Sequence, residues 1–167
     1  SYTELTGTVL TGTGRPIWLR NDEDIVIVDG GTPIEITPSG VVDLPGSPSN
    51  FRFLTTIGAY TLGAGHNDRT DYEYEFMWSA PNNYENWTGV GTGDVRVKKT
   101  GVIMNILGSR DKLYVFKTNE TEIWHNRGGS TPFAKIGTID KGLKSSYSLV
   151  KEADAFYWLG DDLKFYR

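Results

Sequence analysis

The chain has no cysteine, two histidines and only six alanines among its 167 residues. Without cysteine, a disulfide scaffold and any thiolate-bound zinc, iron–sulfur or thiol-redox site are excluded. No His-x-x-x-His pattern and no EF-hand spacing occurs, so the sequence predicts no metal site and no cofactor. Because alanine is the strongest helix former and glycine, with 20 residues, is abundant, the composition argues against a helical bundle.

Long apolar runs are also missing. No segment approaches the ~18 apolar residues of a membrane helix, which predicts a soluble chain with no membrane partner.

Residues 1–95 carry 13 acidic and 4 basic side chains, net −9, and residues 96–167 carry 8 acidic and 13 basic, net +5. The basic residues are dispersed and the pI is 5.2, which argues against sequence-specific nucleic-acid binding. The asymmetry reflects either ordinary solvated faces or acidic and basic faces of adjacent copies that meet in an assembly.

Short β-rich runs bounded by turn residues recur along the chain. The clearest hairpin joins Ile25–Val28 to Pro33–Thr37 across an Asp-Gly-Gly turn. The other predicted strands are 51–54, 59–63, 72–78, 94–97, 102–107, 113–116, 121–124, 147–150, 155–159 and 163–166. Almost no segment has a helical period, so we expect an all-β fold.

The predicted strands form four units whose apolar inner strands recur at intervals of 34, 54 and 42 residues. The markers of these strands are Ile25, Ala59, Leu113 and Ala155. Repeats of about 40 to 50 residues with several strands are typical of a β-propeller. The alternative is an antiparallel β-sandwich or barrel. We expect one propeller-type domain over residues 1–167, with an incomplete set of blades, and we expect the chain to be an excerpt of a longer protein.

Motifs of catalysis are missing or ambiguous. No nucleophile elbow and no phosphate-binding loop occurs, and the glycines of 89–93 precede a predicted strand, which favours a simple connection. Glu73 and Glu75 alternate with tyrosines on one predicted strand, which would place both carboxylates on one face at a spacing suited to glycoside cleavage. The same alternation is typical of a half-exposed strand. The sequence therefore predicts no catalytic residue.

Candidate contact residues come from the aromatic residues and from one polar loop at 63–71. Tryptophans near strand ends either fill the gaps between sheets or anchor contacts with other chains. The candidate residues for protein contacts are Trp87, Trp124, His66, Asp68 and Arg69. Asp68 and Asp71 form a second pair of acids. This pair would either bind a cation or serve as the two carboxylates of a glycosidase.

Two stretches combine short strands, turns and tryptophans in a distinctive order. One stretch, 113–136, contains Glu122-Ile123-Trp124, a glycine-containing turn and then Pro132-Phe133. The other, 76–87, contains a Trp-Ser segment followed by a proline and a second tryptophan. Both stretches resemble the tail hub, or packaged-DNA stabilisation, proteins of short-tailed bacteriophages. The hairpins at 25–31 and 155–167 are similar to display hairpins of the same family, so the resemblance extends over about residues 15–167.

The resemblance implies a non-catalytic β-propeller of the virion, assembled in the host cytoplasm. It implies six copies at the head-to-tail junction, where the family seals the DNA channel. The implied partners are the portal and adaptor ring and the tail needle or spikes. Two other classes remain open: a carbohydrate- or receptor-binding propeller module, and a glycoside-cleaving propeller that uses Glu73 and Glu75 or Asp68 and Asp71.

Overall fold

The computed structural model describes residues 4–21, 23–48, 50–65 and 72–167, and these residues form four β-sheets. Sheet 1 contains β1 (Ile17–Asn21), β2 (Asp24–Val28), β3 (Ile34–Thr37) and β4 (Gly40–Asp43). Sheet 2 contains β5 (Phe53–Ile57), β6 (Tyr60–Ala64), β7 (Glu75–Trp78) and β8 (Gly93–Arg96). Sheet 3 contains β9 (Ile103–Ser109), β10 (Lys112–Lys117), β11 (Thr121–Asn126) and β12 (Phe133–Ile139). Sheet 4 contains β13 (Val150–Glu152), β14 (Ala155–Leu159) and β15 (Phe165–Tyr166).

Every sheet is an antiparallel meander in which strands follow one another in chain order. Tight turns permit this order, because the residues at their corners adopt left-handed backbone conformations. Gly58 between β5 and β6 has φ 55°, and Arg110 between β9 and β10 has φ 56°. The loop after β2 is held by Asp29, whose carboxylate accepts the backbone N–H groups of Gly12 and Gly31 at 2.9 Å each. The all-β prediction is confirmed.

The four predicted units match the four sheets. Ile25, Leu113 and Ala155 lie on the second strands of sheets 1, 3 and 4, and Ala59 directly precedes the second strand of sheet 2. The predicted strand 72–78 is wrong in its first half, because Tyr72–Tyr74 forms a 3₁₀ helix before β7 begins. The predicted strand 147–150 is likewise displaced by a 3₁₀ helix at Ser146–Ser148.

Three apolar cores lie between successive sheets, which makes the sheet arrangement propeller-like. Between sheets 1 and 2 the buried core residues are Val26, Val28, Leu44, Phe51, Leu54 and Trp87. The largest core lies between sheets 2 and 3 and includes Leu62, Phe76, Trp78, Leu113, Val115, Trp124 and Phe133. Between sheets 3 and 4 the buried core residues are Phe116, Leu143 and Trp158. Each inner sheet therefore buries both faces, one against each neighbour.

The first strands of the sheets approach one another closely. β1 contacts β5, and β5 contacts β9. Gly108 of β9 donates its N–H to the Thr55 hydroxyl at 2.8 Å, and a Cβ at Gly108 would lie 2.2 Å from the Thr56 carbonyl oxygen. Only glycine fits at this contact, because a Cβ would collide with the backbone of the neighbouring strand.

Candidate functional site

Within the described residues, two sheet faces at the ends of the series of sheets have no other sheet packed on them. We call the face of sheet 1 that points away from sheet 2 the leading face. It carries Trp18, Ile25, Ile27 and Ile36, which are at least partly exposed, and Ile34, which is only 4% exposed. We call the face of sheet 4 that points away from sheet 3 the trailing face, and it carries Val150, Tyr157, Leu159 and Phe165. Both faces consist mainly of apolar side chains, and both lie where a further sheet would continue the series.

The leading face follows from the alternation of side chains along β1. Ile17 and Leu19 pack against the core between sheets 1 and 2, so Trp18 points to the opposite face, where its side chain is 68% exposed. Trp18 lies opposite Ile27 in the β1–β2 register, and Ile27 lies opposite Ile34 on β3. The indole ring therefore begins a row of apolar residues across β1, β2 and β3, and the row ends at Asp43 on β4.

The trailing face follows from the same alternation along β14. Trp158 packs on sheet 3, so Tyr157 and Leu159 point away from it. Tyr157 lies opposite Val150, which is 55% exposed, and Leu159 lies opposite Phe165, which is 85% exposed. An aromatic ring at this exposure on a sheet face is unusual for a structural residue and typical of a contact surface.

The inner ends of the two faces border one groove of about 320 Å³. Trp18 lines it from the leading face and Val150 lines it from the trailing face. At its floor the backbone N–H of Arg15 donates to the Tyr147 hydroxyl at 3.3 Å, and the Arg15 guanidinium lies 5.1 Å from the centre of the Tyr147 ring. These contacts connect the entry of sheet 1 to the segment that precedes sheet 4, so both faces open onto the same groove.

A polar cleft of about 550 Å³ lies at the end of sheet 2. The β5–β6 turn and the loop between β7 and β8 form its walls. The side chains that line it include Thr56, Tyr60, Asn82, Asn83 and Glu85. Asn82 has φ 55°, a left-handed conformation that asparagine tolerates, and its N–H donates to the Ala59 carbonyl at 2.7 Å, which closes the loop onto the turn. Amide, hydroxyl and carboxylate groups beside tyrosines are suited to a neutral polar ligand.

A buried cluster of charged residues lies inside sheet 3. Lys117 is fully buried, and its ammonium group lies 2.6 Å from Glu120 and 3.3 Å from Glu122. Glu122 is also fully buried, and it accepts a hydrogen bond from the Trp124 indole at 3.1 Å and pairs with Lys135 at 3.0 Å. Burial acts to raise the pKa of Glu120, but hydrogen bonds from Lys117 and from a threonine hydroxyl outweigh it and hold that pKa below its usual range. Each of these two acids is therefore paired with at least one cation.

Tyr84 connects sheet 1 to the β7–β8 loop of sheet 2. Its hydroxyl lies 2.9 Å from the Asp24 carboxylate and forms a second, short hydrogen bond with Glu35, which is 3% exposed. Burial raises the pKa of the Tyr84 hydroxyl well above its usual range, and the two neighbouring carboxylates raise it further. The hydroxyl therefore stays protonated and joins two acids across the boundary between the sheets.

The two tryptophans predicted as contact residues are buried inside the chain. Trp87 is 2% exposed and packs on Phe51 at 5.1 Å between ring centres, and Trp124 is 9% exposed and lies 5.3 Å from Phe76. Each ring fills a gap between neighbouring sheets, which is one of the two roles that the sequence left open, and the contact with other chains stays a prediction. Their proximity to strand ends in the sequence did not reveal which side of the sheet they occupy.

The remaining predicted residues fall into two groups. His66, Asp68 and Arg69, with Asp71, lie outside the described residues. Glu73 and Glu75 do not share a strand: Glu73 is exposed on the 3₁₀ helix, whereas Glu75 is 4% exposed at the start of β7 and pairs with Arg96 at 3.1 Å. The predicted pair of convergent carboxylates on one strand is therefore wrong, because the chain turns between the two acids.

The leading and trailing faces were not among the sequence predictions. The available signal was apolar residues on both faces of one strand, as in Ile17-Trp18-Leu19 and Phe156-Tyr157-Trp158-Leu159. A strand with this composition is buried on both sides or carries an interface.

Comparisons with protein-family models and with curated protein sequences find no match.

Within residues 4–21, 23–48, 50–65 and 72–167, no group of three or more His, Asp or Glu side chains is arranged to hold a metal ion. In the same ranges no helix has the length and apolar character needed to cross a membrane. The candidate site therefore consists of the two uncovered sheet faces and the polar cleft.

Proposed function

We propose that the chain is a non-catalytic structural protein of a phage tail hub, which acts at the head-to-tail junction through contact area. The observation that carries the proposal is the pair of uncovered apolar sheet faces at the two ends of a propeller-like series. Soluble proteins that act alone rarely leave large aromatic side chains exposed on sheet faces. Trp18 and Phe165, at 68% and 85% exposure, are anchors of the kind that assembly interfaces use.

The charged residues of the described chain also support a structural role. The most deeply buried acids of the described chain all have partners: Glu122 has two lysines, Glu75 has Arg96, Glu35 has Tyr84, and Asp29 has two backbone N–H groups. Charges used in this way orient strands and connect sheets. The resemblance in sequence to tail hub proteins supplies the proposed location, which is the virion, and the proposed partners, which are the portal and adaptor ring and the tail needle or spikes.

Virions assembled with and without the chain test this function. In particles made without it we expect heads that package DNA and then lose it, because the channel below the portal stays open. Supplying the wild-type chain in trans should restore DNA-filled, tailed particles and should place the chain at the junction in electron micrographs of labelled virions. Filled, infective particles that contain no copy of the chain would contradict the proposal.

The polar cleft favours a second candidate, a carbohydrate- or receptor-binding module. Its asparagine, threonine and glutamate side chains offer several hydrogen-bond donors and acceptors within one cleft. A glycan array probed with the labelled chain distinguishes this candidate from the first. Binding that is lost in Asn82→Ala, and kept in the matched exposed variant Asn119→Ala on the β10–β11 turn, would favour the binding module. An array without signal would leave the structural function as the better supported of the two.

A further inference from the structure

We propose that the trailing face of one copy of this chain packs against the leading face of a second copy. The contact is head-to-tail: sheet 4 of one molecule takes the place that a preceding sheet would have on sheet 1 of the next. The inference deepens the proposed function and rests on its claim that the chain acts through contact area. It does not depend on the assignment to a phage.

The first step is the pattern of the three interfaces inside the chain. In each interface, the second strand of a sheet points alternate side chains towards the sheet that follows, which covers them. We call these the outward side chains. These outward pairs are Val26 and Val28 in sheet 1, Tyr60 and Leu62 in sheet 2, Tyr114 and Phe116 in sheet 3, and Tyr157 and Leu159 in sheet 4. The first three pairs lie in or against the cores between sheets, whereas Tyr157 of the fourth remains 43% exposed. Sheet 4 thus presents the same kind of surface as its predecessors, without a following sheet to cover it.

The second step is the surface that can cover it. Sheets 3 and 4 each present apolar second-strand side chains to the sheet before them, namely Leu113 and Val115 in sheet 3 and Phe156 and Trp158 in sheet 4. In sheet 1 the equivalent side chains are Ile25 and Ile27, and no sheet precedes them in the described chain. The leading face of a second copy is therefore the surface in this structure that has both the position and the composition to cover a trailing face.

The third step is charge. Residues 1–95, which contain sheet 1 and most of sheet 2, have a net charge of −9, and residues 96–167, which contain sheets 3 and 4, have a net charge of +5. A head-to-tail contact brings the basic half of one copy beside the acidic half of the next, whereas leading face against leading face would bring two acidic halves together. Electrostatic complementarity therefore favours the head-to-tail arrangement. Contacts of this kind build closed rings when the rotation between copies closes, and open chains when it does not.

Sedimentation of the full chain tests the contact, with aspartate placed on one face at a time. Trp18→Asp disables the leading face and Phe165→Asp disables the trailing face. Val90→Asp is the matched control, because Val90 is 97% exposed in the β7–β8 loop and belongs to neither face. Circular dichroism and the midpoint of thermal unfolding establish that each variant is folded, which the high exposure of all three side chains favours.

We expect the wild-type chain and Val90→Asp to associate as concentration rises from about 1 to 200 µM. Each face variant alone should associate at least about tenfold more weakly, because the contact would bury an unpaired carboxylate. An equimolar mixture of Trp18→Asp and Phe165→Asp should form a one-to-one complex, because the first variant keeps a trailing face and the second keeps a leading face.

Three outcomes would overturn the inference. The wild-type chain could stay at 18.6 kDa over the whole concentration range, or it could associate in a way that neither face variant weakens. In the third outcome, each face variant is monomeric alone and their equimolar mixture is monomeric as well. The last result would indicate that like faces pair. These results leave the proposed function separately testable, because a chain that is monomeric in solution can still be required for DNA-filled virions. Conversely, self-association of a chain that virions do not need would contradict the proposed function alone.

Discussion

At the scale of single residues, the stability of sheet 3 depends on charges that are buried and fully paired. Lys117 donates to a backbone carbonyl at 2.7 Å and to the Thr100 hydroxyl at 2.6 Å, in addition to its contacts with Glu120 and Glu122. A buried ammonium group is tolerated only where such partners replace its hydration. Removing the ammonium leaves two acids with fewer partners in the interior.

We expect Lys117→Met to lower the free energy of unfolding by about 3 to 5 kcal/mol, because removing one partner of a buried ion pair leaves uncompensated charge. Urea unfolding followed by tryptophan fluorescence measures the change. Lys164→Met is the control, because this lysine is 75% exposed and its ammonium group lies as far as 4.0 Å from the Asp162 carboxylate. The free energy of unfolding of the control should stay within about 0.5 kcal/mol of wild type. Equal effects of the two substitutions would show that the buried cluster contributes nothing specific.

Tyr84 gives a prediction about alkaline pH. Its pKa is raised in the folded state, so its contribution to stability is fully present below the ordinary tyrosine value near 10 and is lost as pH rises above that value. We expect Tyr84→Phe to be less stable than wild type by about 1 to 3 kcal/mol at pH 8, because buried Glu35 loses its hydroxyl partner. Between about pH 9.5 and 11.5 the difference should shrink.

Urea unfolding at a series of pH values measures this convergence. Tyr157→Phe is the control, because Tyr157 is 43% exposed on the trailing face, and its stability should run parallel to wild type over the same range. A constant gap between wild type and Tyr84→Phe from pH 8 to 11.5 would contradict the assignment of a raised pKa to Tyr84.

At the scale of elements, the close approach of β5 and β9 decides how sheets 2 and 3 pack. We expect Gly108→Ala to destabilise the fold by about 1 to 3 kcal/mol, because the added methyl group would meet the Thr56 carbonyl at 2.2 Å and neither backbone can move freely. Gly137→Ala on β12 is the matched control, since the nearest atom to its added Cβ is Ile123 Cδ1 at 3.8 Å. Thermal unfolding should distinguish the two, and equal midpoints would mean that β5 and β9 separate without cost.

The elements that were predicted well are the hairpins, and the errors lie where the chain changes direction. Alternating apolar residues beside a turn indicate a strand and its register, because both signals are local. Tyr72–Tyr74 alternates like a strand and forms a 3₁₀ helix instead. The acids of this segment, Glu73 and Glu75, were grouped on one face for the same reason, and a turn of the backbone separates them.

At the scale of the whole molecule, the three cores differ in size, and the free energy of local opening should differ between the sheets that form them. Among the described residues, the core between sheets 2 and 3 contains 14 buried residues, whereas that between sheets 3 and 4 contains three. We expect hydrogen exchange to be slowest in β10 and fastest in β13 to β15, because fewer buried apolar contacts permit local opening at lower free energy. Mass spectrometry of exchanged peptides measures this order at concentrations below self-association.

The substitution Trp158→Ala tests the prediction for sheet 4 directly. Loss of this ring from the smallest core should accelerate exchange in sheet 4 while leaving sheets 1 and 2 close to wild type, because the sheets are coupled mainly to their neighbours. Uniform acceleration through all four sheets would instead indicate one cooperative unit.

The sequence by itself determined most of the strands, their grouping into four units, the absence of thiol chemistry and the uneven charge, because each depends on local pattern or on counting. Tertiary structure alone decided which side chains are covered. Trp87 lies between Asn86 and Thr88, whereas Trp18 lies between Ile17 and Leu19, yet Trp87 is 2% exposed and Trp18 is 68% exposed. The difference arises because burial depends on which sheet packs on which face, and that packing joins residues far apart in the chain.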